Sequence, residues 1–148
     1  YDTPVNLFVA GFIGTPQMNF INCVLEKTGE DYYITFGSNS LKLPAEKAAN
    51  PVLKDYVGKE VVAGIRPECI HDDAASLKAM SDAVIECDVE VTELMGAEIY
   101  LYLVAEETTM TARVSARSTT RAGDIVNVAF DMSRVHLFDK DTERYIIH

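Results

Sequence analysis

The chain has 148 residues, 48% of them hydrophobic and 24% charged, which fits one ordinary domain or two small barrels and excludes a separate catalytic domain of normal size. Thirteen Lys and Arg against twenty-three Asp and Glu give a net charge of -10, the wrong sign for a polyanion-binding surface, so no nucleic-acid partner is expected. Cys23, Cys69 and Cys87 are odd in number and outside any CxxC pair, so they read as reduced thiols, and no apolar run reaches the length that spans a bilayer.

The chain opens at Tyr1-Asp2-Thr3-Pro4 without a methionine, as a piece of a longer protein would, and an N-terminal partner domain is expected. Thr3 as N-cap, Pro4 at the first helical position, the stripe Val5, Phe8, Val9, Phe12 and Ile13, and a stop at Gly14 predict one N-terminal helix. After Pro16 the pattern changes to short β-rich runs cut by glycine, proline and acidic turns. Residues 18–25 and 32–36 flank Lys27-Thr28-Gly29-Glu30-Asp31 as a hairpin, with shorter strands at 41–43 and 61–65.

The polar stretch 71–78 reads as a loop with one helical turn that separates two β-rich parts. Ala83, Ile85, Cys87, Val89 and Val91 then alternate with Glu86, Asp88 and Glu90, a period of two that specifies a half-buried strand. Met95-Gly96-Ala97 turns into 99–104, the acidic turn Glu106-Glu107 leads into 110–114, and strands at 125–130, 135–138 and 145–147 close the chain. Many short strands at turn spacing predict an all-β fold, an OB-like β-barrel or pair of barrels with one N-terminal helix, because closure removes the exposed strand edges.

No phosphate-cradling loop is written in the sequence: Gly11-Phe12-Ile13-Gly14 has two glycines, lacks a following Lys and ends a helix instead of starting one. His71, His136 and His148 have no nucleophile in a recognisable setting, and read as surface or satisfied histidines. Cys69-Ile70-His71-Asp72-Asp73 gathers metal-binding residue types but lacks the second pair that a zinc site needs. Glu86, Asp88 and Glu90 line a solvated sheet face, since a general acid would need one carboxyl desolvated. Arg113, Arg117 and Arg121 form the single basic cluster; ion pairing with the acidic strands is the plain reading, and an anion pocket the sharper one. Ile99, Leu101 and Leu103 point one way and Tyr100, Tyr102 and Val104 the other, so neither side is a plain solvent face. Tyr100 and Tyr102 therefore mark a candidate homodimer face.

The run from Tyr1 to Phe20, then Gly64-Ile65-Arg66-Pro67-Glu68, then Glu93-Leu94-Met95-Gly96-Ala97-Glu98, then Phe130-Asp131 with His136-Leu137-Phe138-Asp139, resembles the ATPase subunits of bacterial ABC sugar importers. These blocks recur in the order of that family and span nearly the whole chain. They resemble the junction and C-terminal regulatory region of the maltose, multiple-sugar and glycerol-phosphate importers, often described as a transport-associated OB (TOBE) domain.

The resemblance implies residues 1–16 as a linker helix from a nucleotide-binding domain and 17–148 as the regulatory β-barrel region. It implies a non-catalytic regulatory and dimerisation role, with no cofactor in this chain and ATP and Mg confined to that other domain. The partners it implies are a second copy, two membrane permease subunits, a sugar-binding protein and a regulatory protein, in a cytoplasmic complex on the inner face of the membrane. Gly64, Arg66, Pro67, Glu68, Gly96 and Glu98 are the motif positions expected to carry structure or regulation. Cys69 departs from the pattern, standing where the Arg-Pro-Glu block is often followed by histidine. The alternative is a molybdate-type oxyanion sensor, for which Arg113, Arg117 and Arg121 are the candidate residues.

Overall fold

The computed structural model describes residues 17–148, so the expected N-terminal helix and its Thr3 cap lie outside the described residues. Within them the chain is β throughout, with helices of at most six residues, and it divides into two compact units. The first comprises residues up to Arg66 together with Met132–His148; the second is Pro67–Asp131. The sequence pattern places the divide at 71–78, but that stretch lies inside the second unit as strand and helix, and the last seventeen residues return to the first unit. Sequence order hides such a return because strand pairing brings distant segments together.

The first unit is a six-stranded antiparallel sheet built from β1 (Asn19–Thr28), β2 (Asp31–Phe36), β3 (Asn39–Lys42), β4 (Glu60–Ile65), β10 (His136–Asp139) and β11 (Tyr145–Ile147), in the order β11-β10-β4-β1-β2-β3. The predicted first hairpin forms, Thr28 pairing with Asp31 across a turn in which Gly29 takes φ +62°. Alternation buries Ile21, Cys23 and Leu25 on β1 and Tyr32, Ile34 and Phe36 on β2. The central strand β4 is buried on both faces. Val61, Ala63 and Ile65 face one way, while Val62 and Gly64 lie in rows with Phe138 and His136 on the other. One short helix, α1 (Ala45–Ala48), and a 3-10 turn at Pro51–Tyr56 connect β3 to β4.

The second unit holds β5 (Ile70–His71), α2 (Ala74–Ala79), β6 (Val84–Met95), β7 (Glu98–Ala105), β8 (Thr108–Ser115) and β9 (Ile125–Phe130). Its sheet runs β5-β9-β6-β7-β8, all antiparallel, and β8 comes back against β5, so the sheet nearly closes into a barrel. Ile85, Cys87, Val89, Leu101, Leu103, Ala112 and Val128 fill its interior. The predicted period of two on β6 holds through Val89. There the β6–β7 register shifts, leaving Glu90 as the extra residue before Val91 pairs with Tyr102. Val91 is therefore 52% exposed on the outer side, not inward with the odd positions as the alternation suggests.

Candidate functional site

The outer side of β6, β7 and β8 collects several of the residues singled out from sequence. Register places Ile125, Asp88, Val104 and Thr109 in one row, Val91, Tyr102 and Thr111 in the next, and Glu93, Tyr100 and Arg113 in a third. Tyr100, Tyr102 and Val104 are half-buried, while Ile125 is 66% exposed. The Tyr102 hydroxyl donates to Glu93 Oε1 at 2.9 Å, and that bond to a carboxylate raises the phenol's pKa above its ordinary value. The β6–β7 turn is a two-residue one in which Gly96 takes φ +66°, and it brings Met95 opposite Glu98. Gly96 thus shapes the hairpin, and Glu98 acts through Arg113, whose Nε lies 3.3 Å from Glu98 Oε2.

The candidate basic cluster does not converge. Arg113 is shared between Glu98 and Glu68, the latter at 3.9 Å from its Nη2, so its charge is offset within the unit. Arg121 turns back on its own loop, donating from Nη1 to the carbonyls of Ser118 and Thr120 while its backbone N–H donates to Asp124. Arg113 and Arg117 line a cleft of about 800 Å³ that Arg121 does not reach. Glu68, Asp72, Asp73 and Glu98 line the same cleft, so carboxylates outnumber guanidiniums there and the local field disfavours an anion. Asp72 Oδ2 accepts from the Ser118 and Thr120 hydroxyls, tying the loop after β8 to the end of β5. Asp73 caps α2 by accepting from the Ser76 N–H, which holds its carboxyl below the usual range. Cys69 is buried, and its carbonyl accepts from the Asp131 N–H; among the described residues no His, Cys, Asp and Glu group is placed to hold a metal ion.

In the first unit, Gly64 is required by close packing: a Cβ there would lie 2.6 Å from Met18 Sδ and 2.9 Å from Phe138 Cε2. Arg66 is 4% exposed, and with Lys47 and Arg134 it surrounds His136 with positive charge. Burial foremost, then these cations, lowers the His136 pKa to about 4, so the ring is neutral at pH 7. Its Nδ1 lies 3.4 Å from the Tyr145 hydroxyl, and Tyr145 stacks on Phe138 with centroids 4.7 Å apart. The sequence left His136 as a surface or satisfied histidine and did not point to this ring cluster, because β11 carries only three residues and nothing in their spacing points back to β10. Cys23 and Cys87 are inert by burial, which pushes both thiols up to about 12. Pro67 is buried at the start of the second unit, in a 3-10 turn that presents Glu68 toward Arg113.

Comparison with known proteins adds the following. A family described as the MalK OB fold domain matches residues 14–70, and one described as the TOBE domain matches 63–138. The oligosaccharides import ATP-binding protein MsmX of Bacillus subtilis is 41% identical over 143 residues, covering 97% of this chain and 38% of that protein. The trehalose/maltose import ATP-binding protein MalK of Thermococcus litoralis is 37% identical over 147 residues, covering 99% of this chain and 39% of that protein. The chain therefore spans about two fifths of the length of these relatives. Among solved structures, the cytoplasmic molybdate-binding protein ModG superposes with a TM-score of 0.61 at 18% identity, over 80% of this chain and 94% of that one, a likeness of fold alone.

Proposed function

The chain belongs to the TOBE domain family, and from that premise we propose that it is the regulatory and dimerisation domain of the ATP-hydrolysing subunit of an ABC carbohydrate importer. The observation that carries this reading is the joint match of an OB and a TOBE family over residues 14–138, at over a third identity to sugar-import ATP-binding proteins. The matched families are barrel domains and not nucleotide-hydrolysing ones, so this chain is the non-catalytic part; ATP and Mg belong to a preceding domain of the parent.

In the parent, the barrel region holds two ATPase domains in one assembly while they open and close, since tethering raises their effective concentration. The proposed assembly adds two permease subunits, a sugar-binding protein outside and a regulatory protein inside, on the cytoplasmic face of the membrane. Sequencing the coding region upstream of Tyr1 tests the parentage: a nucleotide-binding domain is expected, and a start codon immediately before Tyr1 overturns it. Sedimentation velocity over a concentration series in moderate salt tests dimerisation, and a monomer at every concentration refutes that role.

A further inference from the structure

The outer face of β6 and β7 is a sheet surface on which apolar and aromatic residues are interleaved with acids. Val91, Tyr102, Tyr100 and Val104 occupy adjacent register positions and Ile125 lies across Asp88 from Val104, with Val91 at 52% and Ile125 at 66% exposure. Asp88 and Glu93 stand in the same rows, and Glu86 and Glu90 are exposed on the same strand. Arg113, the basic residue in those rows, is held by Glu98 and Glu68. The field extends beyond the face: residues 67–131 carry thirteen Asp and Glu against four Lys and Arg, a net charge of -9.

This charge bears on what covers the face. A two-fold contact between copies presents the same patch from both sides. It would bring the acids of one copy, Asp88 and Glu93 among them, near those of the other, and like charges closer than a Debye length of roughly 8 Å at physiological salt repel with little screening. Residues 1–16 of the chain carry no Lys or Arg and offer these acids nothing. A partner with apolar side chains flanked by lysine or arginine satisfies both parts: its apolar side covers Val91, Ile125 and the tyrosine rings, and its cations meet the acids.

We propose that the outer face of β6 and β7 is a docking surface for a basic amphipathic polypeptide segment of a partner protein. Tyr100 and Tyr102 are its anchors, and Asp88, Glu93, Glu86 and Glu90 set its charge preference. The inference goes beyond the dimer reading, and the two fail separately: a chain that dimerises yet takes no such segment removes this inference alone.

The test titrates the 148-residue chain into a synthetic helical peptide of Lys and Leu bearing one tryptophan, a residue this chain lacks, and follows the indole emission. Controls replace every Lys by Glu, or every Leu by Ser. The Lys/Leu peptide is expected to bind, with amide shifts in NMR spectra centred on Val91, Tyr100, Tyr102, Val104 and Ile125. Affinity should fall about tenfold or more in Val91→Ser with Tyr102→Ser, a loss typical of removing central interface contacts. Asp88→Asn with Glu93→Gln, changes at solvated positions that keep side-chain shape, should weaken it several-fold and flatten its salt dependence. Four results overturn the proposal: no binding, equal binding of the Ser-for-Leu peptide, shifts centred elsewhere, or a dimer that dissociates in the Val91→Ser, Tyr102→Ser variant and competes with the peptide.

Discussion

The two units share an antiparallel β architecture and differ in where their charge and apolar surface lie. Residues 1–66 and 132–148 carry nine Lys and Arg against ten Asp and Glu, a net of -1, whereas residues 67–131 carry -9 of the total of -10. In the first unit the central strand β4 is buried on both faces, and the face with Gly64 is sealed by Met18, Phe138 and the rings around Tyr145. In the second, the interior is as well filled, but the outer face leaves Val91 and Ile125 open among acids. Net charge governs association and solubility and leaves the fold class untouched, so one architecture accommodates both. Each unit buries phenylalanine, Phe138 in the near-neutral one and Phe130 in the acidic one, and the acidic unit leaves Tyr100 and Tyr102 half-buried on its outer face.

The sharpest way to break the contrast is to empty the first unit's sealed face. Phe138→Ala removes a fully buried ring and is expected to cost about 3–5 kcal/mol in urea unfolding. A loss below about 1 kcal/mol would mean that the ring stack does not hold the face. Gly64→Ala tests the same seal from the opposite direction. Its Cβ meets Met18 Sδ, the end of a flexible chain, and the stiffer Phe138 ring, so a loss of about 1–3 kcal/mol is expected by overpacking. Combined with Met18→Ala, which removes the nearer obstacle but empties a buried site of its own, the loss should be smaller than the sum of the two single losses.

Acid should distinguish the units. His136 has a folded pKa of about 4 against an ordinary 6.5, so the unfolded chain takes up the proton first as pH falls. The stability contributed by the neutral ring is complete above pH 6.5 and is lost between there and pH 4, amounting to about 1–3 kcal/mol. Amide exchange at pH 7 and pH 4.5 should show protection of β4 and β10 falling, and His136→Gln should flatten that pH dependence. Salt should act on the other unit. Its -9 charge repels itself, so raising sodium chloride from about 50 to about 500 mM should increase protection in β6 and β7 by about 0.5–1 kcal/mol and leave β4 nearly unchanged. Equal responses in both units would show that the charge asymmetry has no energetic consequence within the fold.

The strands and turns of this protein were legible locally because alternation and turn chemistry are local. The β1–β2 hairpin, the turn at Gly96 and the odd-position burial of Ile85, Cys87 and Val89 all follow from residue spacing and glycine's freedom at positive φ. The family, too, was carried by four short blocks of sequence read in order. Pairing between distant strands decided the rest. The bulge at Glu90, set by the partner strand β7, turned Val91 outward against its own alternation. The return of β10 beside β4 put His136 near Lys47 and Arg66, residues far from it in the chain. Arg113 met Glu98 and Glu68 while Arg121 bonded to its own loop, although all three arginines have the same spacing in sequence. A side chain's partner is a long-range quantity, and only the folded sheet, which assigns each residue its cross-strand neighbour, determines it.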